Sequence, residues 1–420
     1  MYRDIGRRVA RAAVVAALLL LFGASASAAI ERPNALDRRV DALTQSQLMT
    51  QPAISLVDPA RQAAAVRRAH WTLLGWILVQ LFEAAALFYL WSSGRAAALR
   101  DWLRRRIRSE WSVRFLFGAA LALVARLAAI LPSFYLYRVD RVLQVSEELT
   151  RTWGAYWILH TLAGMIVAGL IAAIVLWLAE RTHQWYLYTM VGVLAASVGW
   201  SYLYPYVQRF GTHAIRPLQA TLDTQVRAMF VRVHLTPVPA VETTDNSPAG
   251  QVVVLGLGTP RRILLSHSVA VAETEPEIEY QIAYELERVA HGDLVTVALI
   301  EGGVIIVFAA IAIVIADRIR FRRDDDPLSR LAIVGALLAL VYLGAVPVRN
   351  AALRSYDFDA DRYAVAVTAD PSAAVRALVR ASDQRMIEVC PEGSATLFLY
   401  TAAGIGARVA AINHVPSGCR

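Results

Sequence analysis

The chain has 420 residues, 57% of them hydrophobic, and a formal net charge of +8. Its mean hydropathy of +0.45 excludes an ordinary soluble enzyme. All 42 basic residues are arginine, a mark of codon composition more than of function, and outside the short loops between apolar stretches no soluble segment carries a basic helix or an aromatic-basic patch; a nucleic-acid partner is therefore not expected.

Residues 1–28 have the form of a signal peptide: Arg3, Arg7, Arg8 and Arg11, an apolar run from Ala12 to Phe22, then Ala26-Ser27-Ala28. An uncleaved first membrane helix is the alternative. Residues 29–70 are polar, with helix breaks at Pro33, Pro52 and Pro59. Six apolar stretches follow, at 71–91, 113–134, 156–179, 185–206, 294–316 and 331–347. Most approach the ~20 residues that cross a bilayer. Arginines crowd 92–112 and 317–330, which places those loops in the cytoplasm. Alternation then puts 29–70, 135–155, 207–293 and 348–420 on the far side, the periplasm of a bacterial inner-membrane protein. Cys390 and Cys419 both fall there, where a disulfide is permitted but not dictated.

The expected organisation is a signal at 1–28, four spans within 29–206, an extramembrane block at 207–293, two spans at 294–347 and a C-terminal extramembrane part at 348–420. Within the block, QVVVLGLG at 251–258 and Ile263–Leu265 predict two strands joined by a turn at Thr259-Pro260. Thr274 and Glu277 form a capping-box pattern with Pro276 in the first turn, so a helix opens there and ends near Gly292. A second soluble helix is expected over about 350–366. The predicted class is mainly α: a polytopic helical bundle with a small sheet.

The helix at 275–291 carries Tyr284-Glu285-Leu286-Glu287-Arg288. A zinc protease has His-Glu-x-x-His in such a context: two neutral imidazoles on one helix face hold the metal and the Glu acts as general base. Here Tyr284 would have to lose a proton with a reference pKa of about 10, and Arg288 has no acceptor at all. At ~4 Å and an effective dielectric of ~20, a guanidinium and Zn²⁺ repel by roughly 8 kcal/mol. No metal is expected at these positions.

With those residues in view, the chain resembles the polytopic CAAX prenyl protease type of zinc metallopeptidase, with a gluzincin-like domain. The likeness runs from the signal through LPSFYLY at 131–137 to the C-terminal region. It implies a water-filled intramembrane chamber with a zinc site at its mouth. It also implies ligand positions at Tyr284, Arg288 and Asp357, the last shortened from Glu. Glu285 would be the vestigial general base. In NAALRSYDFDAD (350–361), Asn350, Arg354, Ala360 and Asp361 match the family pattern. Arg354 and Asp361 would support the ligands. The edge strand that receives substrate would hold Gln251, Val252 and Gly256, the first two departing from the family's Asn-Ala. The transition-state His of the family falls on Ala402. Zinc is the cofactor of the family, and none is expected here.

These losses suggest a zinc-free pseudoprotease that binds or regulates peptides or membrane-protein clients in the bilayer. One alternative is an active metalloendopeptidase with shifted ligands, for which Glu287 and His291 with Asp357 are the candidate set. Another is a transport or channel protein using Glu83, Arg126, His160 and Glu301, which stand inside predicted spans. A replacement salt bridge between Arg288 and Asp357, with Glu285 nearby, would hold the two helices in the metal's place.

Overall fold

The computed structural model describes residues 33–146, 148–208, 215–243, 251–258, 261–319 and 326–419. The expected signal at 1–28, the Thr259-Pro260 turn and Arg320, Arg322 and Arg323 lie outside them. In chain order, three short helices, α1 (Pro33–Asp41), α2 (Gln45–Thr50) and α3 (Ala53–Leu56), precede α4 (Pro59–Ser92). Then come α5 (Arg95–Arg106), α6 (Glu110–Ala128), α7 (Ile130–Val142), α8 (Thr150–Arg181) and α9 (Trp185–Gln208).

The extramembrane block holds β1 (Ile215–Pro217), α10 (Ala220–Arg232), β2 (Ala240–Thr243), β3 (Val252–Leu255), β4 (Arg262–Ser266), α11 (His267–Ala272) and α12 (Glu275–Ala290). Last are α13 (Asp293–Arg318), α14 (Pro327–Thr368), α15 (Pro371–Arg385), α16 (Gly393–Phe398) and α17 (Ile405–Asn413).

Among the described residues, six helices are long and apolar enough to cross a membrane: α4, α6, α8, α9, α13 and α14. They form a closed ring by contact: α4 on α6, α6 on α8, α8 on α9, α9 on α13, α13 on α14, and α14 back on α4. Small residues allow the closest approach. A Cβ on Gly118 would stand 2.7 Å from the Ala168 carbonyl oxygen, and one on Gly169 would stand 2.7 Å from that of Phe115. Such contacts carry helix packing where lipid removes the hydrophobic drive.

Proline moved two of the expected boundaries. The stretch predicted at 113–134 breaks at Ala129 into α6 and α7. Pro132 has no N–H to offer the Ala128 carbonyl, which weakens the helix at the break. Pro347, read as the end of a span, instead lies inside the 42-residue α14, which continues through the expected 350–366 helix. Pro keeps a helix-compatible φ; the lost bond costs about 3 kcal/mol, and packing of α14 on α4, α12 and α13 offsets it.

The sheet has four strands in the order β1-β2-β4-β3. β2 and β4 are parallel, the other pairs antiparallel, with Val254 opposite Ile263. The two strands read from sequence are present; β1 and β2, of three and four residues, are additional. One hydrophobic core joins Ile263 and Leu265 of the sheet to Ile278, Ile282 and Leu286 of α12, Val375 and Val379 of α15 and Val409 of α17. Val40, Leu48 and Leu56 of the N-terminal helices enter the same core. Arg380, fully buried, ties them in through Glu277 at 3.1 Å, Asp37 at 3.1 Å and Asp41 at 2.6 Å.

Candidate functional site

Helix α12 is placed by its ends. Thr274 and Glu277 form the capping box, Pro276 occupies the first turn, and Gly292 turns the chain at φ +75°. Between them, residues at i, i+4 and i+8 share a face, so Tyr280, Tyr284 and Arg288 look at α14.

Across the gap stand Asp361 and Asp357, 1% and 3% exposed. The Tyr280 hydroxyl donates to Asp361 Oδ1 at 2.6 Å. Arg408 of α17 donates to the same carboxylate from Nε at 2.8 Å and from Nη2 at 2.7 Å. Its guanidinium also lies 4.7 Å above the Tyr284 ring. The Tyr284 hydroxyl donates to Asp357 Oδ1, and the Ala403 amide donates to Oδ2 at 2.6 Å. Arg288 Nη2 is 4.0 Å from Asp357 Oδ1. The direct partner of Asp357 is thus Tyr284, with Arg288 behind it.

Glu285, 5% exposed, reaches the sheet. Its Oε2 accepts the Val254 amide of β3 at 3.1 Å. Burial raises its carboxyl above the ordinary range, against the pull of Arg288 and the Val254 amide. Burial likewise pushes the Tyr284 hydroxyl well above the usual tyrosine range, with Arg408 pulling the other way. Tyr284 is therefore held as a proton donor.

The remaining sequence-selected residues scatter. Arg354 donates to the carbonyls of Thr396 at 2.7 Å and Tyr400 at 3.2 Å, and Asn350 to that of Leu397 at 3.0 Å. They fix the segment that carries Ala402. Gln251 leads into β3 through the Ser266 hydroxyl, which its amide meets at 3.0 Å. Val252 is buried in β3. Gly256 has φ +87°, and a Cβ there would fall 2.4 Å from Pro205 Cγ of α9.

Glu287, 4% exposed, meets His291 at 3.2 Å, away from Asp357. Its other oxygen has no partner among the described residues. Glu83 pairs with Arg126 at 3.5 Å and Glu301 with Arg349 at 2.6 Å. Arg126 and His160 line one cleft of about 460 Å³ with Glu148, Trp153, Tyr156, Trp157 and Thr161. Sequence reasoning missed Arg408 and Arg349. Arg408 lies 47 residues beyond Asp361, with no local signal. Arg349 could have been found, because Glu301 inside a span demands a cation.

Residues 218–415 match the model of peptidase family M48. The chain is a membrane homologue of the M48 metallopeptidases. It is 33% identical over 156 residues to Protease HtpX homolog 1 of Streptomyces coelicolor, an alignment covering 36% of this chain and 46% of that protein, so less than half of that relative's length is matched. The crystal structure of S. mikatae Ste24p superposes with a TM-score of 0.69 over 90% of this chain and 96% of its own, at 14% identity, a likeness of fold.

M48 peptidases are zinc enzymes, and the positions that the resemblance assigns to the ligands carry other donors. Tyr284 keeps its proton, Arg288 is a cation, and both oxygens of Asp357 already accept hydrogen bonds. Among the described residues no three His, Cys, Asp or Glu side chains converge. Zinc requires deprotonated N, S or O ligands, so these residues do not fit the ion.

Proposed function

We propose that this M48 homologue is a zinc-free pseudoprotease of the bacterial inner membrane, which binds or regulates peptide or membrane-protein clients with its extramembrane domain in the periplasm. The observation carrying this is the occupation of Asp357 by the Tyr284 hydroxyl and the Ala403 amide, with the Arg288 guanidinium 4.0 Å away. A permanent cation and a protonated phenol stand where the family keeps two imidazoles. The Cys390–Cys419 disulfide supports an oxidising compartment for the domain. The edge strand β3, next to α12, supports a peptide-binding role: an extended segment can add to a sheet edge without any catalysis, once the Val254 amide leaves Glu285.

Metal analysis of the purified protein tests the first half. We expect well under 0.1 zinc per chain for the natural sequence, and uptake approaching one on Tyr284→His/Arg288→His/Asp357→Glu. Stoichiometric zinc in the unsubstituted protein, lost on Asp357→Ala, would sink the proposal. Peptides retained through purification, and lost on Gly256→Val, would support the client-binding half.

A further inference from the structure

Helix α5, RAAALRDWLRRR, joins the spans α4 and α6. Its buried residues are Ala96 and Leu103, which pack with Leu87, Val113, Phe117, Leu328 and Ala332. That core fixes α5 where α4 ends and where α6 and α14 begin. Part of its charge is matched within the protein. Arg100 and Arg104 reach Asp326 at 3.5 and 2.8 Å, Arg104 also lies 3.3 Å from Glu110, and Arg100 pairs with Asp101 at 2.8 Å.

The rest is left over. Arg105, Arg106 and Arg108 are exposed, and no carboxylate pairs with them among the described residues. The Arg106 guanidinium lies 5.0 Å over the ring of Trp102, itself 46% exposed. Arg95 lies 5.0 Å over the ring of Tyr89. Arg318, exposed at the end of α13, is on the same end of the ring.

We infer that this face docks the headgroups of anionic phospholipids. Two helices that enter the bilayer flank it, so a lipid surface is its nearest neighbour whatever else the protein binds. Trp102 and Tyr89 are of the type that settles at headgroup depth, with an apolar body and a polar edge. Guanidinium groups match phosphate oxygens in a planar, two-pronged contact. Three cations within four residues, with no carboxylate on them among the described residues, repel one another, and an anionic headgroup relieves that. A polybasic stretch beside a membrane helix gains from each charge near an anionic surface.

The test uses the full chain in nanodiscs of equal phosphatidylcholine and phosphatidylglycerol, with co-purifying lipids counted by native mass spectrometry. The unsubstituted protein should favour phosphatidylglycerol by at least about tenfold, each arginine contributing about fivefold at low salt. Arg105→Gln/Arg106→Gln/Arg108→Gln should bring the ratio near one. The corresponding lysine triple should keep most of the preference. Salt at about 0.5 M should remove it, since the screening length falls to a few ångströms. If the triple glutamine variant does not fold, Arg106→Gln alone should lower the ratio severalfold. Equal retention of the two lipids by the natural sequence, or a ratio unchanged by these substitutions, overturns the inference; an arginine cluster that serves only to orient the chain predicts that result.

Discussion

Replacing Asp357 by alanine removes the partner of three groups at once. The Tyr284 hydroxyl and the Ala403 amide donate to it, and Arg288 stands 4.0 Å away. Asp357 is 3% exposed, so water does not simply take its place. Each buried donor left unsatisfied costs about 1–3 kcal/mol. Arg288 adds less, because its side chain is 33% exposed and can turn to solvent. The total is about 2–6 kcal/mol, concentrated where α12 crosses α14. At about 1.4 kcal/mol per decade, amides of Tyr280–Leu286 should exchange with deuterium between about 30-fold and about 10⁴-fold faster. Asp357→Asn keeps an acceptor and should lose less. Tyr284→Phe removes one of the stranded donors, so the double variant should be milder than the sum of the singles by about 1–2 kcal/mol. Exchange within threefold of the natural protein for Asp357→Ala, or strict additivity of the pair, would refute the reasoning.

Four further outcomes are expected. Glu285→Ala should free the Val254 amide, seen as faster exchange at that residue, whereas Glu285→Gln, which still offers an acceptor, should protect it. Burial raises the carboxyls of Glu273 and Glu287 to about 7. Both take up their proton more readily folded than unfolded, so stability should fall as pH rises from about 4.5 to 7. Thermal melts should record that slope, and Glu273→Gln/Glu287→Gln should flatten it. Gly256→Ala must adopt φ +87° and displace Pro205; a loss of about 2–3 kcal/mol should register in chemical denaturation. Reducing Cys390–Cys419, which closes 29 residues, should cost about 3–4 kcal/mol, read as a lower melting temperature in dithiothreitol.

The parts of the molecule set by local chemistry were legible in the sequence. Apolar length gave the six spans, and Thr274, Glu277 and Gly292 gave both ends of α12. β3 showed its valine run and β4 its apolar Ile263–Leu265. What was hidden depends on contacts distant in sequence. Proline effects at 132 and 347 are decided by what packs around the helix, so the helix breaks near one proline and runs through the other. The strands β1 (IRP) and β2 (AVET) carry no apolar run to mark them. In the site, spacing alone put Tyr284 and Arg288 on one face, but not which of them reaches Asp357. The phenol wins because its hydroxyl arrives directly opposite the carboxylate, while the longer Arg288 side chain is 33% exposed to solvent. Arg408 completes the cluster from a helix that no motif marks.

On the proposed reading, α12 and α14 must stay together without an ion, and the structure supplies three means. Ile278, Ile282 and Leu286 bury the underside of α12. Tyr280, Asp361 and Arg408 form a hydrogen-bonded rung above it. Tyr284, Asp357 and the Ala403 amide form the next. Rebuilding the metal ligands with Tyr284→His/Arg288→His/Asp357→Glu dismantles only the last, so the variant should still fold. Arg408 stays close to the rebuilt pocket, but the Asp361 carboxylate meets it through two bonds, which neutralises most of its charge there. Zinc uptake by that variant, beside none by Arg288→His alone, would place the obstacle in the missing ligand set as a whole; uptake by Arg288→His alone would reduce it to a single misplaced cation.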